Sequence, residues 1–490
     1  MQVYNTLTKK MEELKPRNDK KIVMYVCGLT PYDNAHIGHA RTYIAFDVIK
    51  RYLKAKGYNV FHIQNITDVD DKIINRCRET GADPKKLTER LHNEALELFD
   101  RLAILRADVY PRVSEHINEI ILLIQTLIEK GYAYETPTGV YFDVAKFSGY
   151  GKLSGQRLDE IRAGARVEID ETKANPIDFA LWKKTTGEIL EWISPWGAGR
   201  PGWHIECSAM AMKFGGETID IHGGARDLIF PHHENEIAQS EAATGKQFCR
   251  YWLHTGFLTV NGEKMSKSLG NFITISNALS KFAPNAIRMF FLQTHYRSPV
   301  DYDEEKIVAA NEAAEYILNS YGLIKEELNN KNERTYSNPE IYKKMKEDVA
   351  TFYKAMDNDF DTPNALASLF NLLRLVNSNA KEMKKEELES IKNDVEKILW
   401  ILGLQEEKGE IESKREELKK LLDEIIKREG IKVALEGNET AERLLELIIK
   451  IREEIRKKKD FAFSDAIRTK LRELGIIIED KENETRWKVL

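Results

Sequence analysis

Two histidines, His36 and His39, flank Ile37-Gly38 just after a short apolar run. At a helix start, positions three apart share one face. The first turn also presents unpaired N–H groups and the positive end of the helix dipole, a cradle for phosphate. Gly38 removes a side chain where a nucleotide would lie close to backbone. Taken alone, the four residues read equally well as an ordinary helix start. Far downstream, Gly262-Glu263-Lys264-Met265-Ser266-Lys267-Ser268-Leu269-Gly270 places two lysines and two serines between glycines. Such a loop is mobile and cationic and can close over phosphates. Its lysines supply point charges where negative charge builds up in a transition state. By itself it also reads as a solvated surface turn.

A second group of residues has metal chemistry. Pro231-His232-His233-Glu234-Asn235-Glu236 is expected to open a helix, with proline at its start. His232 and Glu236 are four apart and project from one helix face, a chelating spacing. His233 and Glu234 could equally be the chelating members. Cys27 ends the first apolar run, and Cys207 closes Gly202-Trp203-His204-Ile205-Glu206-Cys207. Both could instead be small buried hydrophobes, the common fate of a free cysteine. With Cys77 and Cys249 they complete a set of four whose wide spacing forms neither a CxxC pair nor a disulfide framework, as suits a reducing compartment.

These residues need a scaffold. Lys21 to Val26 is β-branched and apolar and reads as a strand. Ile37, Ala40, Ile44, Val48 and Tyr52 follow at helical spacing, with Gly57 as a stop. A second strand is expected at Asn59 to Ile63. Strand, helix, strand makes a βαβ unit, the seed of a nucleotide-binding parallel sheet that binds ligands at the carboxyl ends of its strands, where Cys27 lies. From about 114 to 200 turn-rich pieces interrupt this rhythm, which points to an insertion. The sheet is expected to resume at Thr218 to His222. From about 305 the chain reads as helical and rich in Lys and Glu. A charged, loop-like stretch spans Glu406 to Lys414, and a last short unit begins near Asp460.

At 490 residues the chain exceeds what one core usually organises, so two to four domains are expected. No apolar run approaches the roughly 20 residues that span a bilayer. The first residues lack the apolar core of a signal peptide, so cytoplasm is the expected location. A net charge of −5 neither suggests nor excludes nucleic acid, because RNA binding needs only a local basic face.

His36-Ile37-Gly38-His39 followed far downstream by Lys264-Met265-Ser266-Lys267-Ser268 resembles the paired signature of class I aminoacyl-tRNA synthetases. Three further segments resemble the cysteinyl-tRNA synthetase family: Cys27-Gly28-Leu29-Thr30, Trp203 to Cys207, and His232 to Glu236. Asn65-Ile66-Thr67-Asp68-Val69-Asp70-Asp71-Lys72-Ile73-Ile74 matches that family as well. The family commonly has a third glycine where Ala225 stands, and proline and valine where Leu29 and Pro31 stand.

The resemblance implies an α/β fold. A Rossmann-type catalytic domain (1–113 and 201–255) is split by a connective insertion (114–200). A linker carrying the cationic loop (256–304), an all-α bundle (305–408) and a C-terminal anticodon-binding unit (409–490) follow. It implies activation of L-cysteine with Mg-ATP, release of pyrophosphate and transfer of cysteine to tRNA(Cys). His36, His39, Lys264 and Lys267 would stabilise the transferring phosphoryl group, with Gly38, Lys72, Gly224 and Asp227 also at the nucleotide. Gly28, Thr67, Trp203 and His232 would meet the substrate cysteine, although a core tryptophan is the alternative for Trp203. One zinc ion would be held by Cys27, Cys207, His232 and Glu236 and would tell the substrate thiol from the serine hydroxyl. A monomer is expected. Two alternatives use the same motifs: a cysteine ligase acting on an amino sugar, and a catalytically silent RNA- or zinc-binding paralogue.

Overall fold

The computed structural model describes residues 1–18, 20–156, 171–265, 270–330, 338–406, 411, 414–431, 433, 439–481 and 484–489. They form two compact units, Met1–Leu404 and Gln405–Leu490.

The first unit opens with a hairpin, β1 (Gln2–Asn5) and β2 (Lys10–Glu13), and then β3 (Lys21–Leu29). Ile22 to Val26 are buried in succession, as expected of a strand covered on both faces of a parallel sheet. α1 (Ile37–Ala55) buries Ile37, Ala40, Ile44, Val48 and Tyr52 along one stripe, and Gly57 follows in the left-handed region at φ 89°. β4 (Asn59–Ile66) runs parallel to β3 and extends three residues past the expected end. The polar residues Gln64 and Asn65 hid this extension in the sequence, yet both are buried in the ladder. α2 (Asp71–Thr80) and α3 (Pro84–Arg101) start at aspartate caps: Asp70 accepts from the Lys72 N–H and Asp83 from the Lys86 N–H.

α4 (Ile117–Glu129) leads into the insertion, a five-stranded antiparallel sheet of β5 (Ala133–Glu135), β6 (Gly139–Phe142), β7 (Phe179–Lys184), β8 (Trp192–Ser194) and β9 (Gly197–Pro201). Its strand order is β5-β6-β7-β9-β8. Val140, Phe142, Leu181 and Trp182 share a core with Ile120 and Ile124 of α4 and with Ile205 and Ala209 of α5 (Trp203–Gly215).

β10 (Ile219–Ala225), α6 (Glu234–Thr244) and β11 (Cys249–Thr255) complete the parallel sheet, in the order β11-β10-β3-β4. β3 therefore has the next strand of the βαβ unit on one side and the returning β10 on the other. That reversal opens a crevice at the carboxyl ends of β3 and β10, the usual ligand position in such sheets. The helix expected to begin at Pro231 begins at Glu234. The preceding Ile229–His233 form a π-helical turn kinked at Phe230, which is extended at φ −136°, ψ 132°. A residue before proline is pushed out of the helical region by the proline ring, which accounts for the extended Phe230.

β12 (Leu258–Val260), β13 (Glu263–Lys264), α7 (Ile275–Lys281), α8 (Pro284–Leu292) and β14 (Val300–Tyr302) follow. The long helices are α9 (Glu304–Asn329), α10 (Pro339–Met356), α11 (Thr362–Asn379) and α12 (Lys385–Leu402). In α9 the buried positions Ile307, Ala310, Ala314, Ile317, Tyr321 and Ile324 recur every three or four residues, which sets one stripe against the bundle. A buried ionic joint ties α1 to this region. Asp47 of α1 pairs with Arg51 and Arg288, and Arg288 also donates to the carbonyls of Leu402 and Leu102.

The second unit has its own core. Leu418, Leu422 and Ile425 of α13 (Arg415–Glu429) pack with Leu445 and Ile448 of α14 (Ala441–Lys457) and Ile467 and Leu471 of α15 (Phe461–Glu473). The antiparallel pair β15 (Ile476–Lys481) and β16 (Glu484–Val489) closes it, with Ile478 opposite Trp487. Among the described residues, no helix is long and apolar enough to cross a membrane.

Candidate active site and metal centre

The crevice at the carboxyl ends of β3 and β10 is a cleft of about 700 Å³. Cys27, Gly28, His36, Gly38, His39, Thr67, Lys72, Trp203, Cys207, Asp227 and His232 all line it. Two regions far apart in the chain thus share one wall.

At the first turn of α1, the His36 and His39 rings stack with centroids 3.6 Å apart. The His36 N–H donates to Nδ1 of His39 at 3.2 Å, so a neutral His39 carries its proton on Nε2. Burial, with the Lys72 charge adding to it, pushes the His36 ring down to about 4. Burial, then His36 and Lys72, carries His39 well below the usual range. Both rings are neutral donors at neutral pH. Lys72 lies near the Tyr32 ring, 5.2 Å from its centroid.

The residues on either side of the cationic loop meet this pair. Ile37 N–H donates to Ile273 C=O at 3.0 Å, and Ile275 N–H donates to Ala35 C=O at 2.9 Å. Phe272 meets His36 edge-on at 5.3 Å, and Met265 lines the same cleft. The Lys264 backbone pairs with Thr259 in the β12–β13 hairpin. Lys267 lies outside the described residues.

Among the described residues, two overlapping sets of four donor atoms lie within 4.8 Å of one another: Cys27, Cys207, His232 and Glu236, and Cys27, His222, His233 and Glu236. All are buried. The sets differ in access. Cys27, Cys207 and His232 line the cleft, whereas His222 and His233 do not. The first set is therefore the one a cleft-bound ligand can reach, and its two thiols, imidazole and carboxylate suit zinc. The second set supplies support. His222 Nε2 lies 2.8 Å from Glu236 Oε2, while His232 Nε2 lies 3.0 Å from Oε1. His204 Nδ1 is 2.9 Å from His232 Nδ1, and His233 links Cys27 Sγ at 3.3 Å to His254 at 2.8 Å. Partners of this kind fix the tautomer and orientation of metal ligands.

The electrostatics favour the anionic form of Glu236 and Cys207 and oppose that of Cys27. Burial opposes ionisation of Glu236, but His222 and His232 outweigh it and hold the carboxyl at about 2. A hydrogen bond from Cys27 draws the Cys207 thiol down to about 6 against its burial. Burial pushes the partner thiol of Cys27 well up.

Trp203 is not a core residue. It is 40% exposed, lines the cleft and stacks on His232 with centroids 4.4 Å apart. Thr67 is buried on the cleft wall, its N–H bonded to the Leu29 carbonyl. At Gly224 a Cβ would come within 2.9 Å of Leu228 and 3.1 Å of His233, so this glycine makes room for the histidine cluster. Glu234, left open as a chelator by sequence, instead accepts from the N–H groups of Leu153 and Ser154. Sequence reading missed His204, His222 and His254 as site residues. His222 lies directly opposite Trp252 on β11, and Gly224 opposite His254, so strand register was the missing signal for His222 and His254, while His204 lies on α5.

The profile of the class I (C) tRNA synthetase catalytic domain matches residues 13–312, and that of the DALR domain matches 351–406. The chain is similar to the cysteine–tRNA ligase of Pyrococcus horikoshii, with 50% identity over 492 residues covering 100% of this chain and 99% of that one. Similarity to the cysteine–tRNA ligase of Carboxydothermus hydrogenoformans is 47% over 493 residues, covering all of both chains. Methionyl-tRNA synthetase of Mycobacterium tuberculosis, solved with methionyl-adenylate, shares the fold at a TM-score of 0.60 and 17% identity, over 79% of this chain and 92% of that one.

Proposed function

The chain belongs to the cysteine–tRNA ligases among the class I aminoacyl-tRNA synthetases, and on that footing we propose how its cleft activates cysteine with ATP and selects it over serine. The chain is a ligase whose substrates are ATP, an amino acid and tRNA. One observation carries the finer reading: the His36–His39 pair and Cys27, Cys207 and His232 line a single cleft.

The amino-acid carboxylate attacks the α-phosphate of Mg-ATP and pyrophosphate leaves. His36 and His39, as neutral rings, donate N–H bonds to oxygens that gain charge in the transition state. Lys72 adds positive charge from the start of α2, and Lys264 and Lys267 are the further cations assigned to the phosphates. Gly38 lets the nucleotide approach the first turn of α1, and Asp227 accepts from the ribose. Gly28, Thr67, Trp203 and His232 form the amino-acid pocket.

Cys27, Cys207, His232 and Glu236 would hold one zinc ion. Zinc, when bound there, prefers a thiolate to a hydroxyl, and so supplies discrimination that pocket contacts worth about 1–3 kcal/mol leave incomplete. His204 and His222 orient His232 and Glu236 for that role. In this reading residues 305–408 and 409–490 bind the tRNA, and the enzyme works in the cytoplasm as a monomer.

The test is charging of bulk tRNA with labelled cysteine, with serine and a chelator-treated sample alongside. Cysteine-specific charging that falls on chelation and returns with added zinc is expected. Serine charged as well as cysteine, or charging indifferent to zinc in metal-free protein, would overturn the selection mechanism. Cysteine-dependent ATP–pyrophosphate exchange without charging would shift the acceptor from tRNA to an amino sugar.

A further inference from the structure

Along β3 and β4, Val26 faces Gln64 and Leu29 faces Ile66. Two residues of β3, Cys27 and Gly28, therefore stand opposite the single residue Asn65 of β4. This is a β-bulge, which bends its strand and re-aims the extra side chain. A bulge also deprives a backbone N–H of its ladder partner. Here the Asn65 side chain supplies one, since Oδ1 of Asn65 accepts from the Gly28 N–H at 2.8 Å. The same amide donates through Nδ2 to the Thr67 hydroxyl at 3.0 Å.

Gly28 sits so close to β4 that a Cβ would lie 1.6 Å from the Asn65 carbonyl oxygen. From the other side, the Tyr43 phenol of α1 donates to the Cys27 carbonyl at 3.1 Å. Tyr43 belongs to the helix that begins at the histidine pair. The bulged dipeptide is thus held from β4 and from α1, with Cys27 Sγ turned toward Glu236 and His233. Asn65 is 2% exposed, and its bonds reach the metal-side turn and the cleft residue Thr67 together.

We propose that Asn65 and Tyr43 are positioning residues that clamp the Cys27–Gly28 bulge, setting Cys27 as a metal ligand and Thr67 as a substrate contact in one geometry. The inference rests on the cysteine-selecting reading of the site. Asn65 governs the relation of Cys27 to Thr67, and Tyr43 ties the same turn to the phosphate-binding helix. Asn65→Ala leaves the Gly28 N–H unpaired and frees the bulge to relax, whereas Tyr43→Phe removes only the bond from α1.

The experiment uses full-length Asn65→Ala, Asn65→Asp and Tyr43→Phe proteins, with zinc content, the absorption spectrum after cobalt substitution, and KM for cysteine and for ATP in pyrophosphate exchange. Folding is checked by circular dichroism. For Asn65→Ala we expect a native-like fold, a rise of about 10- to 100-fold in cysteine KM or loss in metal affinity, and a changed cobalt–thiolate band, with ATP KM within about twofold. Asn65→Asp retains an acceptor for Gly28 and is expected to recover part of the loss, and Tyr43→Phe to show the same changes more weakly. If folded Asn65→Ala has wild-type cysteine KM, metal affinity and cobalt spectrum, the clamp is wrong. If the wild type itself takes up no zinc or cobalt, the reading of the metal site fails instead. An Asn65→Ala chain that does not fold moves the decision to Tyr43→Phe, where an unaltered spectrum and KM overturn the clamp.

Discussion

His36 shows how much one ring nitrogen can decide. Its folded-state value of about 4 lies below the ordinary 6.5, because burial and then Lys72 disfavour the charged form. Between those values the unfolded chain binds the proton and the folded chain does not, so stability must rise with pH across that window and be complete above about 6.5. At pH 5 the deficit relative to pH 7 is about 2 kcal/mol for this ring. Urea unfolding followed by tryptophan fluorescence, with six of the seven tryptophans in residues 1–404, should show a smaller acid loss in His36→Gln than in the wild type. Equal losses would show that the ring is not held neutral. His39→Ala removes a proposed transition-state donor and is expected to lower kcat for pyrophosphate exchange by about 10²–10³ with cysteine KM little changed. A mainly raised KM would make His39 a binding group only. The identity and spacing of these histidines were plain in the sequence. Their neutrality was not, because it depends on burial and on Lys72 of a different helix.

Elements arrange what the residues offer, and here periodicity had mixed power. The stripe Ile37, Ala40, Ile44, Val48, Tyr52 foretold α1 because a helix face needs only apolar spacing. The π turn before α6 and the two-against-one bulge at Cys27 carry no period, so pattern could not reveal them. The same limit hid the ionic joint on α1. Asp47 and Arg51 sit one turn apart and look like an ordinary surface pair, yet both are buried because Arg288 and the carbonyls of Leu402, Trp400 and Ala103 surround them. This joint fixes α1 to α8 and to the end of α12. Removing one partner from such a network leaves a buried charge or carbonyl unmatched, at a cost of about 3–5 kcal/mol. Arg288→Met is expected to lie at the low end, since Asp47 keeps Arg51 and the Leu105 N–H. The checking measurement is the urea midpoint of the first unit. A shift equivalent to less than about 1 kcal/mol would mean that methionine packing replaces the joint.

At the scale of the molecule, the chain offers two compact units for the steps that a ligase of tRNA must perform. Every proposed residue of adenylate chemistry, from Cys27 to Lys267, falls within Met1–Leu404, and so does the joint that steadies α1. The core built on Leu418, Leu422, Leu445 and Ile448 contains residues of Gln405–Leu490 alone. The hydrophobic clusters of Met1–Leu404 are built from that unit's own residues, so deletion of the second unit removes none of them. The sequence disclosed the helical character of this end through its Lys- and Glu-rich amphipathic stripes. It disclosed nothing of tRNA contacts, since exposed charge on a helix has the same appearance whether it meets water or phosphate. Residues 1–404 expressed alone should therefore catalyse cysteine-dependent pyrophosphate exchange within about threefold of the full chain, a change worth under 1 kcal/mol. Charging of tRNA by the same fragment should fall by at least about 100-fold, the loss of several phosphate contacts and any stacked base. If exchange collapses along with charging while circular dichroism shows a folded fragment, the second unit supports the chemistry directly. If charging survives, recognition of tRNA lies within residues 1–404 and the proposed role of 409–490 falls.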